Sequence, residues 1–157
     1  MFGKLLPQPI DNTYRGSKPA LWVFGLVVGL RTLQSLAVIF NAHSTAINAD
    51  GLPLDTYPPA AAQTAVALFA LASLWRLTFC SVCVFVLVRY RSAVPLMFVV
   101  LILNFLAAQL LFWFVPLPRT GTPPGPYVNL AQFVLAVIGL VLSLRSRGVA
   151  GQRTHAA

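Results

Sequence analysis

The chain has 157 residues, of which 58% are hydrophobic and only 9% are charged, and its formal net charge is +8. A soluble domain carries roughly 25% charged residues, so this composition excludes an ordinary soluble globular fold and is typical of a membrane protein. The positive charge does not indicate a nucleic-acid-binding surface, because the basic residues stand at the ends of apolar runs. We therefore predict an all-α integral membrane protein that has the lipid bilayer as a partner and binds no nucleic acid.

The N-terminal part of the chain combines a basic segment with a long apolar run. Residues 1–18 contain three basic side chains and one acid, and we predict that they form a tail. Pro19 opens the apolar run and suits the first turn of a helix, where its missing N–H is not needed. A cleaved signal peptide is the rival interpretation. However, the run exceeds the roughly 7 to 15 residues of a signal-peptide core and Arg31 interrupts it, so we predict a membrane-spanning helix.

Four apolar runs are each long enough to cross a hydrocarbon core of about 30 Å, which takes roughly 20 residues. They predict a transmembrane domain over residues 19–145 that folds as a four-helix bundle. A tail over residues 146–157 follows, and we expect it to be disordered. The predicted helices cover residues 19–41, 62–88, 95–115 and 127–144.

The links between the runs differ in length and composition. Residues 41–60 are polar and contain a turn signal at Asp50-Gly51, so we predict a loop. Residues 89–92 form so short a link that the second and third helices should be antiparallel neighbours. Residues 116–126 contain five prolines, which predicts an extended loop.

The distribution of lysine and arginine predicts the orientation of the chain in the membrane. If both termini lie on one side, that side carries eight of the eleven basic residues and the opposite side carries only Arg119. The positive-inside rule then places both termini in the cytoplasm. We expect a multi-pass protein of a bacterial inner (plasma) membrane.

Polar side chains near the middle of the runs are the candidates for a binding site. Arg31 and Arg76 each fall near the centre of a predicted helix, and Asn104 is next to the centre of the third. A charged residue at that depth is costly and is a functional-site hypothesis by default. No Asp or Glu lies in any predicted helix. We therefore expect the two arginines to meet Asn104, Gln34, Gln109, an anionic ligand or an acidic group of another chain.

Small residues indicate how the helices pack. Gly25 and Gly29 form a GxxxG pattern on the first helix, on a different face from Arg31. This pattern allows close helix packing, and we favour packing within the chain over homodimerisation. Three amides in the outer halves of the helices are expected to form interhelical hydrogen bonds, with a polar path outward from the arginines as the alternative: Gln109, Asn129 and Gln132.

Cys80 and Cys83 form a CxxC pattern in the second run, close to Arg76. This combination is loosely similar to the four-helix quinone-linked disulfide oxidases, and the resemblance implies thiol redox chemistry. The chain departs from that family because the pair is predicted in the cytoplasmic half of its helix and no second cysteine pair exists. We favour two small core residues. His43 and His155 lie outside the runs, so we predict no metal site and no cofactor.

The sequence leaves three functions open, and we favour the first of them. The first is a non-catalytic accessory, structural or assembly subunit of a larger membrane complex, in which Arg31 or Arg76 meets an acidic group of a partner. The second is a small transporter or lipid-binding protein that holds an anionic ligand at the same two arginines. The third is a thiol redox protein that uses Cys80 and Cys83.

Overall fold

The structure is a computed structural model and describes Asn12, Tyr14 and residues 16–145. Regular secondary structure in this part of the chain is entirely helical, without a strand. Two single 3-10 turns lie at Leu54–Thr56 and Arg91–Ala93. The five α-helices are α1 (Lys18–Phe40), α2 (Ala42–Asn48), α3 (Pro59–Arg89), α4 (Val94–Phe114) and α5 (Gly125–Leu144).

The four predicted membrane spans are confirmed as helices. Helices α1, α3 and α5, and α4 together with its preceding 3-10 turn, are long and apolar enough to cross a membrane. Most of the predicted N-terminal tail and all of the predicted tail over 146–157 lie outside the described residues.

Proline marks the beginning of every long helix. Each of these four helices has a proline at its first or second position. The first turn tolerates proline because its N–H groups have no partner inside the helix. Helix α3 begins at Pro59, earlier than predicted, and its 31 residues extend about 46 Å. Because that length exceeds a hydrocarbon core of about 30 Å, α3 must tilt or project from it.

Helix α1 packs against α3 on one side and against α5 on the other. At the α1–α3 contact, a Cβ on Gly25 would lie 3.6 Å from the Leu87 side chain. Further along, the Thr32 side chain interacts with the Cys80 thiol. Since the residue number rises along α1 while it falls along α3, these two helices run antiparallel.

Helix α5 packs against α4 on its other side, again antiparallel. The Phe98 ring lies against Gly139. The rings of Phe105 and Phe133 stack with centroids 4.5 Å apart. The order of packing is therefore α3, α1, α5, α4.

Helices α3 and α4 contact each other over only a short stretch, although the link between them is short. The predicted antiparallel neighbours are therefore in contact only over this short stretch. The buried side chains of α3, among them Ser73, Cys80 and Cys83, line the face that packs on α1. The main packing partner of α3 is therefore α1, and not α4 as the short link alone would suggest.

The segment predicted as a polar loop over residues 41–60 is more ordered than expected. It contains α2 and a 3-10 turn, and Ala46 and Leu54 are buried. The predicted turn at Asp50-Gly51 is present, because Gly51 has a φ of +71°. This segment, the first connection, forms hydrogen bonds with residues 120–125 in the second connection, which joins α4 to α5. The two connections therefore form one layer, which we call the loop end of the molecule.

Candidate functional site

Arg31 is a buried cation on the packed face of α1. Only 9% of its surface is exposed, and its carbonyl oxygen accepts a hydrogen bond from Ser35 Oγ at 2.8 Å. The Nε atom of Arg31 is buried and has no hydrogen-bond partner among the described residues. A buried donor without an acceptor is costly, so Arg31 is a candidate for contact with an acceptor from outside the chain.

Arg76 on α3 belongs to the same charged region. Its side chain is partly exposed, and its charge interacts with that of Arg31. The structure thus brings together the two arginines that the sequence singled out. Two like charges in surroundings of low dielectric repel each other, and an anion placed near both would relieve the repulsion.

Asp50 is an acidic group whose charge interacts with those of Arg119 and Arg76. It follows α2 in the predicted turn, and its side chain is only partly exposed. Burial raises the pKa of its carboxyl above the ordinary value of 3.8, while the positive charges of Arg119 and Arg76 lower it without cancelling the rise. The turn after α2 places the Asp50 carboxylate beside Gly125 at the start of α5, and this placement depends on how the two connections fold together.

A glutamine pair links α1 to α5. Gln132 Nε2 donates a hydrogen bond to Gln34 Oε1 at 2.8 Å. Gln132 Oε1 is buried and has no partner among the described residues. Gln34 follows Arg31 by three positions, so the two are neighbours on the helix surface. The expected interhelical bond of Gln132 is therefore present, and its partner is the candidate residue Gln34.

Asn104 and Gln109 lie on exposed faces of α4. The sequence suggested that Asn104 would share a buried polar layer with the two arginines, but Arg31 is buried on α1 whereas Asn104 faces outward. The helical period alone does not say which face of α4 meets α5, and the packing of Phe98 and Phe105 decides it. Exposed amides in an apolar helix need hydrogen-bond partners within the membrane.

Only one glycine of the GxxxG pattern is in contact with another helix. Gly25 faces Leu87 of α3, whereas a Cβ on Gly29 would meet nothing within 4 Å. Packing within the chain therefore uses Gly25 alone.

Cys80 and Cys83 are buried free thiols, 1% and 0% exposed. Both lie on the face of α3 that packs on α1, within electrostatic range of Arg31. This position fits the interpretation of two small core residues, because a redox partner has no direct access to either sulfur atom. Within the described part of the chain, no three His, Cys, Asp or Glu side chains form a group that could hold a metal ion.

Sequence reasoning also missed a packing feature. The buried face of α5 consists of Gln132 and three small residues at helical spacing, Ala136, Gly139 and Ser143. A repeat of small residues every three or four positions was visible in the sequence and indicates a close helix contact.

The described site thus combines one buried cation, a second cation beside it and an acidic group at the loop end. Such an arrangement can bind an oxyanion. No protein-family model matches the chain, and neither a curated protein nor a solved structure matches it.

Proposed function

We propose that the chain forms a four-helix bundle in a bacterial inner membrane, with both termini in the cytoplasm. The lysine and arginine distribution supports this orientation. The antiparallel packing is compatible with it, since Ser17 Oγ before α1 donates a hydrogen bond to the carbonyl oxygen of Leu142 near the end of α5 at 2.7 Å. Reporter fusions at the C terminus test the orientation. Activity of a C-terminal reporter that works only outside the cytoplasm would contradict it.

Within this bundle we propose a non-catalytic role as a small transporter or lipid-binding protein that holds an oxyanion at Arg31 and Arg76. The observation that carries the proposal is the burial of Arg31 without a partner for its Nε atom among the described residues. An acidic group of a partner subunit would reach a side chain on the outer surface more easily than it would reach the buried Arg31. Because Arg31 turns inward, the geometry favours a ligand over a partner protein at this point.

The charge balance of the region supports an anionic ligand. Arg31 interacts with Arg76, and Arg76 and Arg119 interact with Asp50. Three positive groups and one negative group leave a formal charge of +2. A guanidinium matches the geometry of phosphate, sulfate and carboxylate groups, with which it forms paired hydrogen bonds. The oxyanion can come from an anionic lipid headgroup or from a free anion.

Replacing either arginine with glutamine is expected to abolish binding while the protein still inserts. The measurement is thermal unfolding of the protein in neutral detergent with added phosphatidylglycerol or inorganic sulfate. A ligand at about 100 times its Kd stabilises the native state by about 2.7 kcal/mol. We expect that gain for the wild type and for Arg89→Gln, an exposed position at the end of α3, and no gain for Arg31→Gln or Arg76→Gln.

The two added compounds distinguish the source of the anion. Stabilisation by the lipid alone indicates a headgroup site, and stabilisation by sulfate as well indicates a site for the free anion. The proposal fails if neither compound stabilises the wild type, or if the Arg31→Gln variant is stabilised as strongly as the wild type.

The accessory-subunit function remains the second candidate, because Asn104 and Gln109 expose amides on α4. An amide in hydrocarbon is stabilised when another helix supplies its hydrogen-bond partner, typically by about 0.6 kcal/mol and at most about 2. We expect a tagged wild-type chain in mild detergent to retain a partner polypeptide that Asn104→Leu loses. Leu103→Ala on the neighbouring exposed position is the control. Recovery of the single chain as a stable monomer counts against this candidate.

A further inference from the structure

Gln132 is a buried amide near the middle of α5, and only 2% of its surface is exposed. Its Nε2 atom donates a hydrogen bond to Gln34 Oε1 on α1 at 2.8 Å. Its Oε1 atom is buried and accepts no hydrogen bond from any residue that the structure describes. The fold therefore satisfies the donor half of this amide and leaves the other half as a buried acceptor without a donor.

The neighbours of Gln132 along α5 are apolar. The ring of Phe133 stacks on the ring of Phe105 of α4, with centroids 4.5 Å apart. Ala136, one turn further along the same face, is 2% exposed. Within hydrocarbon there is no bulk water to satisfy a polar atom at such a position. Because buried polar atoms are normally hydrogen-bonded, the free acceptor of Gln132 points to a group from outside the chain.

A buried donor without an acceptor lies on the adjoining turn of α1. Arg31 precedes Gln34 by three positions, so the two side chains are neighbours on the helix surface. Arg31 Nε has no hydrogen-bond partner within the described part of the chain. The hydrogen bond from Gln132 ties α5 to this same turn of α1. One region of the α1–α5 contact thus contains both a donor and an acceptor that the chain leaves unpaired.

A single ligand can satisfy both atoms if it carries an acceptor and a donor. Any oxyanion can accept a hydrogen bond from Arg31 Nε. Only an oxyanion that also bears an O–H group can donate one to Gln132 Oε1. Phosphate at neutral pH, phosphate monoesters and the hydroxylated headgroup of phosphatidylglycerol have such a group, whereas sulfate has none.

We propose that Gln132 is a specificity-determining residue of the oxyanion site and that the site selects anions bearing an O–H donor. The inference rests on the proposed oxyanion function and names the class of its ligand. Gln34 holds the Gln132 amide by accepting the hydrogen bond from Nε2, which leaves Oε1 for the ligand. When sulfate occupies the site, this buried acceptor stays unpaired, and that cost is the basis of discrimination.

Phosphate and sulfate are matched probes for a free anion, because both are tetrahedral oxyanions of similar size. Near neutral pH every phosphate ion retains at least one proton and is no more negative than sulfate, so charge does not favour phosphate. The apparent Kd of each anion is measured from thermal stabilisation of the wild type in neutral detergent. We expect phosphate to bind roughly tenfold more tightly than sulfate, a difference that one unpaired buried acceptor is sufficient to produce.

Phosphatidylglycerol and phosphatidylmethanol are the corresponding probes for a lipid. Both are phosphodiesters with a single negative charge, and only phosphatidylglycerol has hydroxyl groups in its headgroup. If the site takes its anion from a lipid, we expect a similar preference, roughly tenfold, for phosphatidylglycerol over phosphatidylmethanol. A preference between the lipids without binding of the free anions therefore identifies a lipid headgroup as the source.

Gln132→Met is the decisive variant, because methionine has a similar volume and offers only a weak acceptor. We expect this variant to bind both members of each pair of probes with equal affinity. Ser143→Ala is the matched control, since it lies about three turns further along the same buried face of α5. The control should keep the preference of the wild type.

The outcomes separate this inference from the proposed function. If the wild type binds both members of each pair equally, the oxyanion site stands and the role of Gln132 is wrong; a buried water bridging the two unpaired atoms gives this result. A preference that persists in Gln132→Met also overturns the inference. If none of the four probes stabilises the wild type, the proposed function itself fails. The wild-type measurements alone are decisive if Gln132→Met does not fold.

Discussion

Gly139→Ala is expected to destabilise the protein by about 1 to 3 kcal/mol, the usual cost of an added carbon in a packed core. A Cβ at this position would overlap the ring of Phe98. The ring cannot easily move away, because it forms an edge-to-face pair with Phe24, with centroids 5.1 Å apart. Phe24 and Phe98 are both fully buried. A single methyl group therefore disturbs the contact that joins α1, α4 and α5.

Unfolding in neutral detergent with increasing sodium dodecyl sulfate measures the loss. Gly29→Ala is the matched control, because a Cβ there meets nothing within 4 Å. That variant should be as stable as the wild type or slightly more so, since alanine is the better helix former by about 1 kcal/mol. Combining Gly139→Ala with Phe98→Leu should recover part of the loss. Equal stability of the wild type and Gly139→Ala would show that the helices are not in this close contact.

Arg31→Met is expected to have opposite effects on stability and on binding. Replacing even a buried ion pair with apolar side chains of similar volume is often neutral or stabilising by about 1 to 4 kcal/mol, and a buried charge without a counter-charge is costlier still. Arg31 is buried and its Nε atom has no partner among the described residues, so we expect the ligand-free protein to gain stability. At the same time the variant should lose the stabilisation by sulfate or phosphatidylglycerol, because methionine supplies no donor to the oxyanion.

A gain in stability of the ligand-free protein together with a loss of ligand binding distinguishes a binding residue from a structural one. If Arg31 instead held the bundle together through a partner within the chain, Arg31→Met would destabilise the ligand-free protein by several kcal/mol. Arg89→Met, at an exposed position on α3, should change stability by less than about 0.5 kcal/mol and leave binding intact. The measurement is the same denaturation series, repeated with and without the ligand.

The spans were predictable because the membrane imposes a simple requirement on each of them separately. Every backbone polar group in hydrocarbon must be bonded within its own helix, so length and apolar composition identify a spanning helix without knowledge of its neighbours. Proline at the first turn of all four long helices reinforced these signals locally. The helix over residues 42–48 was not predicted because it is short and polar, and its place depends on contacts with α1 and α3.

The candidate site was predictable only in part. Arg31 and Arg76 could be singled out because a charged residue within an apolar run is recognisable from the sequence, whatever the tertiary fold. Their proximity depends on the antiparallel contact of α1 with α3. Asn104 has the same depth by residue count, yet α4 exposes it, because Phe98 and Phe105 set the rotation of that helix against α5.

By itself the sequence determined the helical class, the four apolar spans, the two central arginines and the lack of an acid in those spans. Each of these depends on composition along one segment. The tertiary structure decided that α1 lies between α3 and α5, that Arg31 is buried while Asn104 is exposed, and that Asp50 lies beside Gly125 at the start of α5. These relations join residues far apart in the chain, and the small-residue patterns around Gly25 and Gly139 indicate close packing without saying which helix is the partner.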